Sequence, residues 1–172
     1  MDSAEVSNLS TSVDDFVVEL GGYVQEKGTD KVWRLVTFLP TASADIDFAA
    51  KLVVHEVGNT FRYGTGGFQV AQDYSDTNGM PAGVNVHHAI DISAVSVNQY
   101  GYVQVAGECE VTNHDATCPT GSRLETHGVD GGTTDVGDGS MPLIGWVIAD
   151  AGSTTPIARL KIGSVTPVEV NG

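Results

Sequence analysis

The chain has 172 residues, 41% of them hydrophobic, with 8 Lys plus Arg against 22 Asp plus Glu and a formal net charge of −14. That length suits one domain with a real core. The charge argues against nucleic acid, which carries about one negative charge per 1.7 Å of duplex, and against an anionic membrane surface.

Met1 to Asp15 contains no basic residue and no continuous apolar stretch, so it reads as neither a secretory signal nor a transit peptide, and the chain is expected to be made in a cytoplasm. No window reaches the roughly 18 apolar residues of a membrane helix. Residues 1 to 14 read as an extended arm and 15 to 172 as a single β-rich domain, with a weak internal boundary near residue 98. The arm is too polar to fold alone. Its apolar positions Val6, Leu9 and Val13 are expected to dock on a neighbouring subunit while its acidic residues stay wet.

Short β-branched and aromatic runs, separated by Gly, Asp, Asn, Ser and Pro, follow the arm. This is an all-β pattern, a β-sandwich or small β-barrel with long glycine-rich loops. Strands are expected near Phe16 to Leu20, Val32 to Phe38, Lys51 to Val57, Gly67 to Gln72, Gly83 to Val86, Ala89 to Val97, Tyr100 to Val111, Ser122 to Glu125, Leu143 to Ala149 and Ile157 to Ile162. Ala42 to Leu52 has the only helical signal, with Ser43 as a cap. Two runs, Val32 to Leu39 and Leu143 to Ala149, are nearly continuous in apolar residues, as in strands covered on both faces. They predict burial of Trp33, Leu35, Ile144, Trp146 and Ile148, joined by Val103, Val105 and Leu160. From Val103 onward a period of two puts Val103, Val105, Cys109 and Val111 on one face and Gln104, Glu108 and Glu110 on a wet or interfacial one. Glycine and aspartate concentrate in residues 71 to 81 and 127 to 141, which read as surface loops.

Catalytic and metal signatures are weak. The histidines His55, His87, His88, His114 and His127 accompany Cys109 and Cys118, but eight residues separate the cysteines, unlike the close pairs of structural zinc sites. Asp130, Asp135 and Asp138 sit among glycines without the order or terminal Glu of a calcium loop. No Gly-x-Ser-x-Gly elbow occurs. The pairs Asp14 with Asp15 and Asp45 with Asp47 would serve a glycosidase only across a cleft. Gly64 to Gly67 lacks the lysine of a phosphate loop. No cofactor, metal or enzymatic activity is expected. Cys109 and Cys118 are compatible with two reduced thiols or with a bridge formed in an oxidising medium.

The carboxyl-terminal third carries a succession without catalytic character: Tyr100 to Gly107, then Gly121 to Leu124, then Ile144 to Gly152, then Ile157 to Ile162. It resembles the end of phage head decoration, or capsid cement, proteins, which share a glycine-valine hairpin strand, a Gly-x-x-Leu turn, an Ile-Gly-x-Val strand and a closing Ala-x-Leu-x-Ile strand. The resemblance covers roughly residues 95 to 163. It implies a structural virion protein on the outer face of a capsid, bound to the major capsid protein and to other copies of itself, with a trimer as one arrangement. The region before this unit is longer than in better known members. A carbohydrate- or receptor-binding β-sandwich of a tail or surface structure is the alternative, with Tyr63, Tyr74 and Tyr102 available for a stacking surface and Trp33 and Trp146 assigned to the core.

Overall fold

A computed structural model describes residues 1, 3–38, 50–58, 67–72, 79–87, 99–114, 117–127, 134–136, 141–149 and 154–163. Among these residues ten strands form one hydrogen-bonded system: β1 (Tyr23–Gln25), β2 (Val32–Phe38), β3 (Leu52–Glu56), β4 (Gln69–Ala71), β5 (Pro81–Asn85), β6 (Gln99–Glu110), β7 (Arg123–Thr126), β8 (Thr134–Val136), β9 (Leu143–Ala149) and β10 (Ile157–Lys161). Among the described residues the helical content is a single turn, α1 (Ser3–Val6), and a 3-10 turn at Val13–Asp15. The all-β reading holds. Of the expected strands, Phe16 to Leu20 is not one, because its apolar side chains cover the barrel instead of pairing. Ala89 to Val97, most of Ala42 to Leu52 and the position near 98 lie outside the described residues.

The order is β1-β2-β4-β3-β5-β6-β10-β9-β7-β8, and a further β2–β6 pairing closes β2, β4, β3, β5 and β6 into a five-stranded barrel. Closure is antiparallel except at β2–β4, where Thr37 and Phe38 run parallel to Gln69 and Val70. The twelve-residue β6 serves two sheets. Its first part pairs with β2 from Gln99 to Ala106, and its last part pairs with β10 from Ala106 to Glu110. The change of partner falls at Gly107, whose φ is +85° and where a Cβ would lie 2.7 Å from the Asp30 carbonyl oxygen. Only glycine satisfies both the left-handed backbone and the close approach. Gly107→Ala is therefore expected to cost about 1 to 3 kcal/mol in denaturant unfolding, and an unchanged midpoint would show that the bend relaxes.

The two nearly continuous apolar runs have different fates. In β2, Val36 and Phe38 fill the barrel with Val54, Val70 and Val103, while Trp33 and Leu35 point outward and join Tyr102 in a second cluster. That outer cluster is roofed by the amino-terminal segment, through Val6, Met1, Phe16 and Val18. Main-chain bonds hold the roof, with Ser10 N–H donating to Tyr100 O at 3.0 Å and Tyr100 N–H to Ser10 O at 2.7 Å. In β9, by contrast, Ile144 and Val147 are buried but Trp146 is 40% exposed and Ile148 36%. The expected burial of Trp146 and Ile148 is thus corrected: β9 has a roof on one face only. Trp33, Leu35, Val103, Val105, Ile144 and Leu160 are buried as the pattern requires.

The polar face of β6 also divides. Glu108 and Glu110 are wet, whereas Gln104 is buried and its Nε2 donates to Ala106 O at 3.0 Å and Glu108 O at 2.9 Å. Those two bonds tie a buried amide to the strand next to the Gly107 bend, which compensates its loss of water.

Candidate partner-binding face

The strand registers put one row of side chains across the outer face of the second sheet. Arg123 of β7 is opposite Trp146 of β9, Trp146 is opposite Arg159 of β10, and Arg159 is opposite Glu108 of β6. Directly opposed residues share a face, and all four are exposed. On the other side of the same strands Leu124, Ile144, Val147, Ala158 and Leu160 form core, so the row stands on a rigid base. Lys161, two residues beyond Arg159, brings its Nζ to 6.0 Å from the centre of the Trp146 ring, at the outer limit for a cation on an aromatic face.

Both arginines are met by acids, and one of these, Glu108, belongs to the row itself. Arg159 reaches Glu108 at 3.0 Å and Asp30 at 3.2 Å, and Arg123 pairs with Glu125, whose other oxygen accepts from Met141 N–H at 3.1 Å. The Arg159 pairs are about half exposed on both sides and contribute little to stability. The result is an exposed indole with Lys161 near its ring and two ion-paired arginines at its sides, while Ile148, also exposed, lies two residues along β9. An apolar centre with arginines is the composition of an interface core.

The arm residues singled out from sequence are placed elsewhere. Val6 is fully buried in the chain's own outer cluster and Leu9 packs partly against the barrel; the side chain of Val13 lies outside the described residues. The expectation that Val6 docks on a neighbour, from an extended arm, is corrected. The outer faces of Trp33, Leu35 and Tyr102 offer an apolar surface within the same chain, and a helical turn lets Val6 reach it. Tyr102 is likewise fully buried, not a surface platform, and its phenol is pushed up to about 12 by burial. Tyr63 and Tyr74 lie outside the described residues.

Two clefts remain. One of about 380 Å³ lies between arm and barrel, beside Glu5, Asp15 and Val17. Another of about 310 Å³ is bordered by Lys31, Lys51, Gln104 and Cys109. The second has the makings of a nucleophile, but burial pushes the Cys109 thiol up to about 12, far from the depressed values of reactive cysteines, and Lys51 is paired with Glu110 at 2.5 Å. Cys109 and Cys118 are both buried thiols that are not joined in a disulfide. Among the described residues no group of three or more His, Cys, Asp or Glu could hold a metal ion. His114 and His127 do meet, with ring centres 4.1 Å apart, a contact that their distance in sequence conceals.

The exposed row escaped sequence reasoning because Leu143 to Ala149 has no polar residue to mark its outer face. The signal lay in β10, where Ala158, Leu160 and Ile162 alternate with Arg159 and Lys161; its partner strand must follow the same alternation. No family model, no curated protein and no solved structure matches this chain.

Proposed function

We propose that this chain is a structural virion protein that decorates and stabilises a capsid by binding the outer surface of its major capsid protein. The observation that carries the reading is the arrangement of the segments resembling capsid cement proteins: Tyr100 to Gly107, Gly121 to Leu124, Ile144 to Ala149 and Ile157 to Ile162 belong to the contiguous strands β6, β7, β9 and β10. They form one unit whose outer face carries an exposed indole between ion-paired arginines. The work would be mechanical. Contacts available only on the assembled shell stabilise that shell by mass action, and no residue need perform chemistry. A net charge of −14 suits an outer surface better than a DNA-facing lumen.

Exposed Trp146 favours a second reading, a module that stacks a sugar ring of a receptor. Particles of the virus whose genome encodes the chain distinguish the two. Under the capsid reading, quantitative mass spectrometry finds hundreds of copies per particle and electron microscopy places them on the shell. A handful of copies at the tail, or none, would remove it.

A further inference from the structure

We propose that the amino-terminal roof, up to Leu20, lifts off as a unit while the barrel stays closed, so that the chain alternates between a covered and an open form of one apolar face. The face consists of Trp33, Leu35 and Tyr102 on the outside of β2 and β6. Its cover is loosely attached. Among the described residues, main-chain bonds tie the roof to the rest of the chain at few points: the two between Ser10 and Tyr100, the 3.2 Å bond from Lys27 N–H to Met1 O, and the turn from Gly22 N–H to Glu19 O. Continuous attachment to β2 begins only at Gly21, whose N–H donates to Leu35 O at 2.9 Å. Of the roof's described side chains Val6 alone is fully buried, while Val17 is 68% exposed and Glu5, Asp14, Asp15 and Glu19 face water. Holding about twenty residues in a largely irregular path costs backbone freedom at each of them, and one buried valine with a few half-buried neighbours offsets only part of that cost.

Two features of the seam ease the parting. The cleft of about 380 Å³ runs between roof and barrel, so part of that contact is already open. Beneath the roof the Tyr102 hydroxyl is buried without a hydrogen bond, the Val17 N–H approaching it but not in bonding geometry, and opening returns that hydroxyl to water. The barrel, in turn, has its own filling: Val36, Phe38, Val54, Val70 and Val103 pack together inside it, with Leu9 and Leu20 of the roof only partly packed against them. The β2–β6 pairing closes its ring of strands. Lifting the roof therefore exposes Trp33, Leu35 and Tyr102 and frees both main-chain groups of Tyr100 while the ring stays whole. The inference concerns the free chain and needs no shell, so its failure leaves the capsid reading standing.

Native-state amide exchange on the purified full-length chain, followed by nuclear magnetic resonance in low urea, tests it. The Ser10 and Tyr100 amides are expected to exchange at least about tenfold faster than the slowest amides of β2 and β3, and with a smaller urea dependence, because lifting the roof exposes less surface than unfolding the barrel. Val54→Ala, a change inside the barrel, should speed the slow β2 and β3 amides and leave Ser10 and Tyr100 unchanged, since the open form loses the same barrel contact as the covered one. Val6→Asp puts a charge under the roof and should hold it open. The far-ultraviolet circular dichroism of the barrel then persists while an apolar dye, anilinonaphthalene sulfonate, binds at least about tenfold more than to wild type. Ser10 and Tyr100 amides that exchange in step with the barrel, in rate and urea dependence or in their response to Val54→Ala, would overturn the inference. So would a Val6→Asp protein that unfolds, or one that stays folded without taking up the dye.

Discussion

Trp33→Ala is expected to lower the free energy of unfolding by about 3 to 5 kcal/mol, whereas Trp146→Ala should cost less than about 1 kcal/mol. The two tryptophans stand in equally apolar sequence but in different surroundings. Trp33 is 1% exposed, wedged between the barrel wall and the amino-terminal roof, with its ring 5.6 Å from that of His87 and its Nε1 donating to Glu26 at 3.4 Å. Removing the indole empties a space that Val6, Leu35 and Tyr102 cannot fill without moving. Trp146 rests on the sheet with water on its other side. Urea titrations followed by far-ultraviolet circular dichroism give both values without relying on the fluorophore being removed. Equal losses at the two positions would mean that the outer face of β9 has a roof after all.

Acid should weaken the fold through His55 in a defined window. This side chain is wholly buried on β3, and burial lowers its pKa to about 4 from an ordinary 6.5. Above about pH 6.5 the imidazole is neutral in both folded and unfolded chains and contributes no pH dependence. Between about pH 6.5 and 4 the unfolded chain binds a proton that the folded chain refuses, so stability declines, by about 3 kcal/mol across the window. Below about pH 4 both states are protonated and this contribution levels off. His87 is shifted in the same direction, by partial burial and then by Lys31, and adds to the slope near its upper end. The measurement is unfolding free energy against pH for wild type and His55→Leu. The difference between the two curves should tilt across this window, and parallel curves would show that His55 is solvated.

Much of the fold was legible because strand alternation is a local property. β2, β3, β6, β9 and β10 fall within a residue or two of the segments their apolar runs suggest, and β1 and β8, of three residues each, were missed because they are too short to alternate. Local pattern could not say which apolar runs would be covered twice. Leu143 to Ala149 and Val32 to Phe38 look alike as sequences, and the difference is where the first twenty residues of the chain lie. Nor could it anticipate that Gln104, in a polar phase of β6, would bond the backbone of its own strand. The candidate face followed only from register, which joins Arg123, Trp146 and Arg159 across gaps that no sequence window spans.

The double duty of β6 has a consequence for the order of events during synthesis. β2 pairs with β6 through contacts such as Val32 with Ala106 and Phe38 with Gln99, so the barrel cannot close until residues near 106 have left the ribosome. The last part of β6 must then wait for β10, about fifty residues later. Contacts this distant in sequence make folding slow, because chain closure must precede any reward from pairing. Until β6 arrives β2 has apolar side chains on both of its faces, one coverable by the amino-terminal segment and the other lacking the Val103 of the barrel interior. A nascent chain stalled before β6 is therefore a sticky, chaperone-seeking species, and the early synthesis of the roof segment limits that exposure from the outset.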